Sequence, residues 1–200
     1  MSSYSFISVD LQNVFASEGG KGYTPKSSVG FLKSKLFPYF EKKNIKINEI
    51  VSDYRQPRPG DKGDLCHPGT WGYQSIVPEK LRRSLWVKCM NSPIWVRENI
   101  GNEDAEPGLP YQDTAKFGKW LEKNVGDREK VIPVVFGLTV DCCVLSTLQE
   151  LNWRGYYPLL IEEGTDHRTG EKADKQKVLD AAIGNWASVI GWKKLKLTLS

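Results

Sequence analysis

Apolar positions along the chain follow two rhythms. Residues 4–9 and 47–54 are short, nearly continuous apolar runs, whereas Val29, Leu32, Leu36 and Phe40 recur at every third or fourth place. The first pattern predicts buried strands and the second an amphipathic helix, with Ser27 or Ser28 as its N-cap and Pro38 expected to kink or shorten it. The alternation continues. Strands are predicted over 84–88 and 131–136, the latter with Pro133 as an awkward residue because it removes a ladder donor. A helix capped by Asp113 carries Phe117, Trp120 and Leu121, and another carries Val144, Leu148 and Leu151. Beyond these come a strand over 156–161, a helix from Glu171 to about Ile183, and a last strand over 193–197. Residues 55–72, crowded with Pro and Gly, have no period and form a long loop of the kind that is usually functional or disordered.

Continuous apolar strands that alternate with amphipathic helices point to an α/β fold, with a mainly parallel central sheet of about six strands covered on both faces. Length and composition add one constraint. Two hundred residues with 40% hydrophobic and 26% charged describe a single domain, 1–200, able to bury a sizeable core. The net charge of +4 is spread over lysines such as Lys33, Lys35, Lys116, Lys119 and Lys123, at spacings of solvated helix faces. Without an aromatic and basic stripe, a nucleic-acid partner is not expected. No apolar run reaches the roughly 18 residues of a membrane span, and the start lacks a signal-peptide pattern, so a cytoplasmic protein with no membrane partner is expected. The four cysteines, Cys66, Cys89, Cys142 and Cys143, lack CxxC spacing, and reduced thiols are the expectation.

Chemistry concentrates at predicted strand ends, where ligands bind in such sheets. Asp10 follows the first strand, Lys88 ends the third, and Cys142 and Cys143 follow the fourth across a short turn. A cysteine in the first helical turn feels the positive end of the helix dipole, which favours thiolate, and a nearby lysine would favour it further. Asp10 could exchange a proton with it. Each residue alone also has an ordinary explanation: a core thiol, a turn aspartate, a surface lysine.

Four segments, in order, carry a resemblance. They are Asp10, Gln12 and Phe15 as D-x-Q-x-x-F; Gly69, Thr70 and Gly72 followed by Pro78 and Glu79; the strand-end Lys88 with Ser92 and Trp95 after it; and Gly137, Asp141, Cys143 and Val144 as an elbow. Together they span nearly the whole chain, which resembles the isochorismatase-like cysteine hydrolases. The resemblance implies a three-layer α/β/α domain and a Cys143, Asp10 and Lys88 triad that cleaves a small amide, ureide or carbamoyl compound through a thioester. It also implies a non-proline cis peptide at Leu138-Thr139, an oxyanion hole made by the amides of Thr139 and Cys143, and a homo-oligomer, dimer or tetramer. Cys142 falls on a variable position beside the nucleophile.

The departures are informative. Metal-dependent relatives carry Asp-x-His and further histidines after the second strand; here Asp53 is kept, but Arg55 and Leu65 stand where histidines would, and His67 and His167 are the only two in the chain. No metal, no cofactor and a substrate other than nicotinamide are therefore expected. Isochorismatases proper generally lack the cysteine, so an amidase is favoured over a vinyl-ether hydrolase or a degenerate binding subunit. Val140 and Thr139 stand where Thr and Ala are usual, so the shape of the oxyanion turn differs from the family pattern. Phe15, Trp71, Trp95, Leu138, Cys142 and Thr139 are the candidate pocket wall, for which a core role is an equal reading in the case of the aromatics. Arg55, Arg58 and Arg97 are candidates for gripping a substrate carboxylate, against a surface role for each. Asp166 and His167 match no catalytic position of the family and are assigned to a loop.

Overall fold

The structure is a computed structural model and describes residues 3–55 and 64–199. Eight strands and seven α-helices run in the order β1 (Ser3–Val9), α1 (Asn13–Ala16), α2 (Ser27–Phe31), α3 (Phe37–Lys43), β2 (Ile47–Ser52), β3 (Arg82–Lys88), β4 (Trp95–Val96), β5 (Tyr111–Gln112), α4 (Thr114–Asn124), β6 (Val131–Leu138), α5 (Cys143–Trp153), β7 (Leu159–Asp166), α6 (Lys172–Ala181), β8 (Ser188–Ile190) and α7 (Trp192–Thr198). Six strands form one sheet in the order β3-β2-β1-β6-β7-β8, every neighbouring pair parallel, and β4 with β5 makes a small antiparallel ribbon. Strand alternation divides the core into two layers. Ile7, Val9, Ile50 and Val135 face α4, α5 and α6 through Phe117, Leu121, Val144, Leu148 and Leu179. Phe6, Ile47, Val134 and Phe136 face α2, α3 and α7 through Val29, Phe37, Phe40 and Leu195. The result is the three-layer α/β/α arrangement that the apolar rhythm predicts.

Three local readings are corrected. The helix around Pro38 is not shortened: a π-helical turn over Leu32–Leu36 comes directly before it, the Phe37 amide bonds back to Leu32, and the helix runs on to Lys43. The proline ring would otherwise crowd the preceding turn, and one extra residue per turn is a known way to absorb it. The fifth strand of the large sheet starts later than predicted and ends at Asp166, since Pro158 blocks an earlier start and the exposed Glu162 and Glu163 hide its apolar character. Residues 193–197 are helical, not extended. Lys and Leu alternate there, but Trp192 and Leu195, three apart, point at the core, and Leu197 is 68% exposed. Pro133 sits one residue before β6 begins to pair with β7, so its missing donor is not needed on that side.

Candidate active site

The sheet order reverses between β1 and β6, and ligands of open parallel sheets bind beyond the carboxyl ends of the strands at such a point. Asp10 is the first residue past β1 and holds φ at +49°, a left-handed conformation that aspartate tolerates better than most residues. The β6–α5 elbow lies alongside it. Gly137, at φ +134°, lets the two strands close up, because a Cβ there would lie 2.1 Å from the Val9 carbonyl oxygen. The Leu138-Thr139 peptide is cis. Within the turn, the Cys142 and Val144 amides donate to the Thr139 carbonyl, and the Val140 amide donates to Asp166.

Lys88 ends β3, two strands from β1 and so about 10 Å away across the sheet. Only a long side chain crosses that gap, and small Ser52 on β2 leaves the path open. The Lys88 Nζ donates to Asp10 Oδ2 at 2.8 Å, Ser52 Oγ at 2.8 Å, Tyr54 OH at 2.9 Å and the Met90 carbonyl at 3.1 Å. Ser52 in turn donates to Asp10 Oδ1 at 2.9 Å. Lys88 and Asp10 are 0% and 1% exposed, so the surface role a lone strand-end lysine usually has does not apply. Burial works against the Lys88 charge, but Asp10, together with Cys143 and Tyr54, outweighs it and holds the ammonium pKa well above its ordinary value.

Cys143 opens α5 and is buried. Its Sγ lies 3.3 Å from Tyr54 OH, 3.9 Å from Asn91 Oδ1 and 3.9 Å from Cys142 Sγ. The expectation that helix start and lysine together lower its pKa is corrected. The contact with Cys142, burial and the Asp10 carboxylate together push the Cys143 thiol well above its ordinary value, although Lys88 pulls the other way. Cys142 moves to about 7, chiefly because Cys143 donates to it, with burial opposing and Lys88 and Arg168 helping. Of the two sulfurs, the buried member next to a carboxylate holds its proton the more tightly.

A cavity of about 180 Å³ opens onto this cluster and is lined by Asp10, Phe15, Leu138, Thr139, Cys142 and Cys143, together with Gly22, Lys26, Tyr54, Asn91 and Arg168. Trp71 is 49% exposed and lines a separate cavity with Gly20 and Cys66; Trp95 packs against the core from β4. Neither of these aromatics borders the Cys143 cavity. Gln12 bridges the loops beneath it, donating to the Ser52 and Tyr73 carbonyls and accepting from the Ser52 amide.

The arginine candidates are elsewhere. Arg55 binds both oxygens of Asp53 at 2.9 and 2.7 Å, Arg97 adds a third contact at 2.9 Å, and the Gly101 amide donates to the same carboxylate. Arg58 lies outside the described residues. The cations that do border the cavity, Lys26 and Arg168, were not anticipated. Lys26 donates to Thr24, and Arg168 is paired with Asp141. Arg168 could have been found had the strand before it been read through to Asp166, which puts it at a strand's carboxyl end. The same reasoning applies to Tyr54, two residues past β2. Asp166 is buried rather than in a loop, and its carboxylate accepts from the Ser28 amide at 2.7 Å and the Ser27 hydroxyl at 3.3 Å, capping α2. His167 bonds Thr169 outside the cluster.

The metal position that the resemblance implies at Asp53 does not fit this chain. Asp53 is fully buried between two guanidinium groups, and a cation beside it would meet both positive charges, so the residues present do not suit a metal. Among the described residues, no group of three or more His, Cys, Asp or Glu side chains could hold one.

Solved structures share this fold. An isochorismatase-like hydrolase from Alkaliphilus metalliredigens is 17% identical, with 100% of this chain and 97% of that one covered and a TM-score of 0.69. The pyrazinamidase of Pyrococcus horikoshii, solved in complex with zinc, is 16% identical over 95% and 99% of the two chains, at 0.68. N-carbamoylsarcosine amidase from Thermoplasma acidophilum is 19% identical over 94% and 95%, at 0.62. No family model and no curated protein matches the sequence. The fold is that of the isochorismatase-like hydrolases.

Proposed function

We propose that the chain is a metal-independent cysteine amidohydrolase that cleaves a C–N bond of a small amide, ureide or carbamoyl compound. One observation carries the reading: Asp10, held by the buried Lys88, and Cys143 line the same 180 Å³ cavity at the point where the sheet order reverses. The amidases that share the fold, named for pyrazinamide and N-carbamoylsarcosine, support the bond type.

Asp10 takes the thiol proton as Cys143 Sγ attacks the carbonyl carbon. Charge that develops on the carbonyl oxygen is met by the amides of Thr139 and Cys143, which the turn does not use for its own bonds. Asp10 then protonates the departing nitrogen, and a thioester on Cys143 remains. Water attacks the thioester carbonyl and gives a proton to Asp10, the C–S bond breaks to free the acid, and Asp10 returns that proton to the Cys143 thiolate. Lys88 holds the Asp10 carboxyl in position throughout. A thiol that is neutral at rest suits this sequence, because the proton leaves only when a substrate needs the nucleophile.

Of the two cations that border the cavity, Arg168 is paired with Asp141, and Lys26 donates to neutral oxygens of Thr24 and Phe15. Ammonia release across nicotinamide, carbamoyl amino acids, biuret and ureidoacrylate-like compounds tests the reading. Turnover of at least one member is expected, abolished in Cys143→Ala and still present in Cys142→Ala. Turnover of a vinyl ether that survives Cys143→Ala, with no amide cleaved, would overturn it.

A further inference from the structure

We propose that Tyr54 is a further catalytic residue of this site, its hydroxyl donating a hydrogen bond to the Cys143 sulfur and stabilising the thiolate that attacks the substrate. This rests on the amidohydrolase reading for its role in turnover, but not for the hydrogen bond itself. The direction of the bond follows from the ammonium's lack of a lone pair. An ammonium has three protons and no acceptor, and Lys88 is held as an ammonium by Asp10 at 2.8 Å. The Tyr54 oxygen, 2.9 Å from Lys88 Nζ, therefore accepts. Its own hydrogen is then directed to the sulfur at 3.3 Å.

The ring is held for that task. Tyr54 is buried, meets Phe15 edge-on at 6.4 Å between centroids, and lies under Lys88 Nζ, 5.0 Å from the ring centre. Burial first, and then the neighbouring sulfur, keep the phenol far from ionising, so it remains a donor at any working pH. The groups that face the sulfur are Asp10 from the end of β1, Lys88 from β3, Cys142 from the elbow and Arg168 from beyond β7. Asp10 opposes a thiolate, whereas Lys88 favours it and is linked to the sulfur through the Tyr54 hydroxyl. Tyr54 thus brings part of the ammonium's polarisation to the reacting atom. As the proton leaves for Asp10, a weak bond to a thiol becomes a charge-assisted bond to a thiolate, strongest where the barrier lies.

The test reads the sulfur without relying on turnover. Iodoacetamide labelling of Cys143, located by fragment mass spectrometry so that Cys142 is counted apart, is followed against pH in the wild type and in Tyr54→Phe. The variant keeps the ring and loses only the hydroxyl. A hydrogen bond to a charged group is worth enough to move the labelling midpoint up by about one to two pH units, a tenfold or larger drop in rate at fixed pH. Turnover should fall in kcat with KM little moved. A second variant, 3-fluorotyrosine at position 54, has a more acidic hydroxyl and shifts the midpoint down; it decides the matter if Tyr54→Phe does not fold. An unchanged midpoint in either variant overturns the proposal. Failure of the two readings is separable: a Tyr54-dependent midpoint in a protein that cleaves no amide sinks the proposed function alone, and Cys143-dependent amide cleavage with a Tyr54-independent midpoint sinks this inference alone.

Discussion

Asp53 and Cys143 show how little a residue's identity says before its neighbours are known. Asp53 stands where the resemblance implies a metal ligand, yet here its carboxylate accepts from Arg55, Arg97 and the Gly101 amide. Burial alone would raise its pKa; the Arg55 bonds, the Gly101 amide and the Arg97 charge more than reverse that, and the net shift is downward. A depressed carboxylate contributes stability that is fully present above the unfolded value, about 3.9, and is lost as pH falls through the lower folded value. Asp53→Asn should leave two buried guanidinium groups without their counter-ion and cost about 3–5 kcal/mol in urea unfolding at pH 7. That penalty should shrink as the pH is taken below about 4. A variant as stable as the wild type at neutral pH would show that the cluster is solvated rather than closed. Cys143 teaches the same lesson with the opposite sign: a helix start favours thiolate, but the contact with Cys142, burial and a carboxylate outweigh it.

At the scale of elements, the strand-turn-helix elbow depends on one backbone position. Gly137→Ala places a methyl within 2.1 Å of the Val9 oxygen at a φ that alanine rarely adopts, and the struck atom is backbone in a central strand. A loss of at least about 3 kcal/mol, read as a lower Tm, is expected, together with loss of turnover because β1 and β6 can no longer bring Asp10 and Cys143 together. Asp166 serves a different element. Its removal in Asp166→Ala should cost about 1–2 kcal/mol, since the α2 amide it satisfies then loses its acceptor. Elements were legible where one period dominated, as in Ile47–Ser52 and Cys143–Trp153. They were misread where two periods overlap. Lys-Leu-Lys-Leu in α7 fits a strand by alternation, and only the packing of Trp192 and Leu195 on the sheet selects the helix. The ribbon of β4 and β5, two residues each, leaves no periodic trace at all.

The whole molecule explains which parts of the site could be read in advance. Asp10, Lys88 and Cys143 each end a strand or open a helix, and a parallel sheet brings such positions to one edge whatever its strand order. Tyr54, Ser52 and Arg168 join them only through the order β3-β2-β1-β6-β7 and its register, which no local pattern encodes. For the same reason Trp71 could not be told from a pocket residue, because a loop has no period that says which way a side chain points. Register also decides the fate of the metal position. β2 and β3 pair Ser52 with Lys88, so the chain leaving β2 sets Asp53 beside the Lys88 carbonyl and turns its carboxylate toward Arg97, beyond the ribbon strand β4. Two guanidinium charges then stand where a cation would bind, and like charges at hydrogen-bonding range repel a divalent ion strongly in a buried setting. A chelator at millimolar concentration should therefore leave amide turnover unchanged, and added zinc or iron should not raise it. Activity that is lost to the chelator and restored by either metal would mean that the cation binds through other ligands and that hydrolysis does not run on Asp10, Lys88 and Cys143 alone.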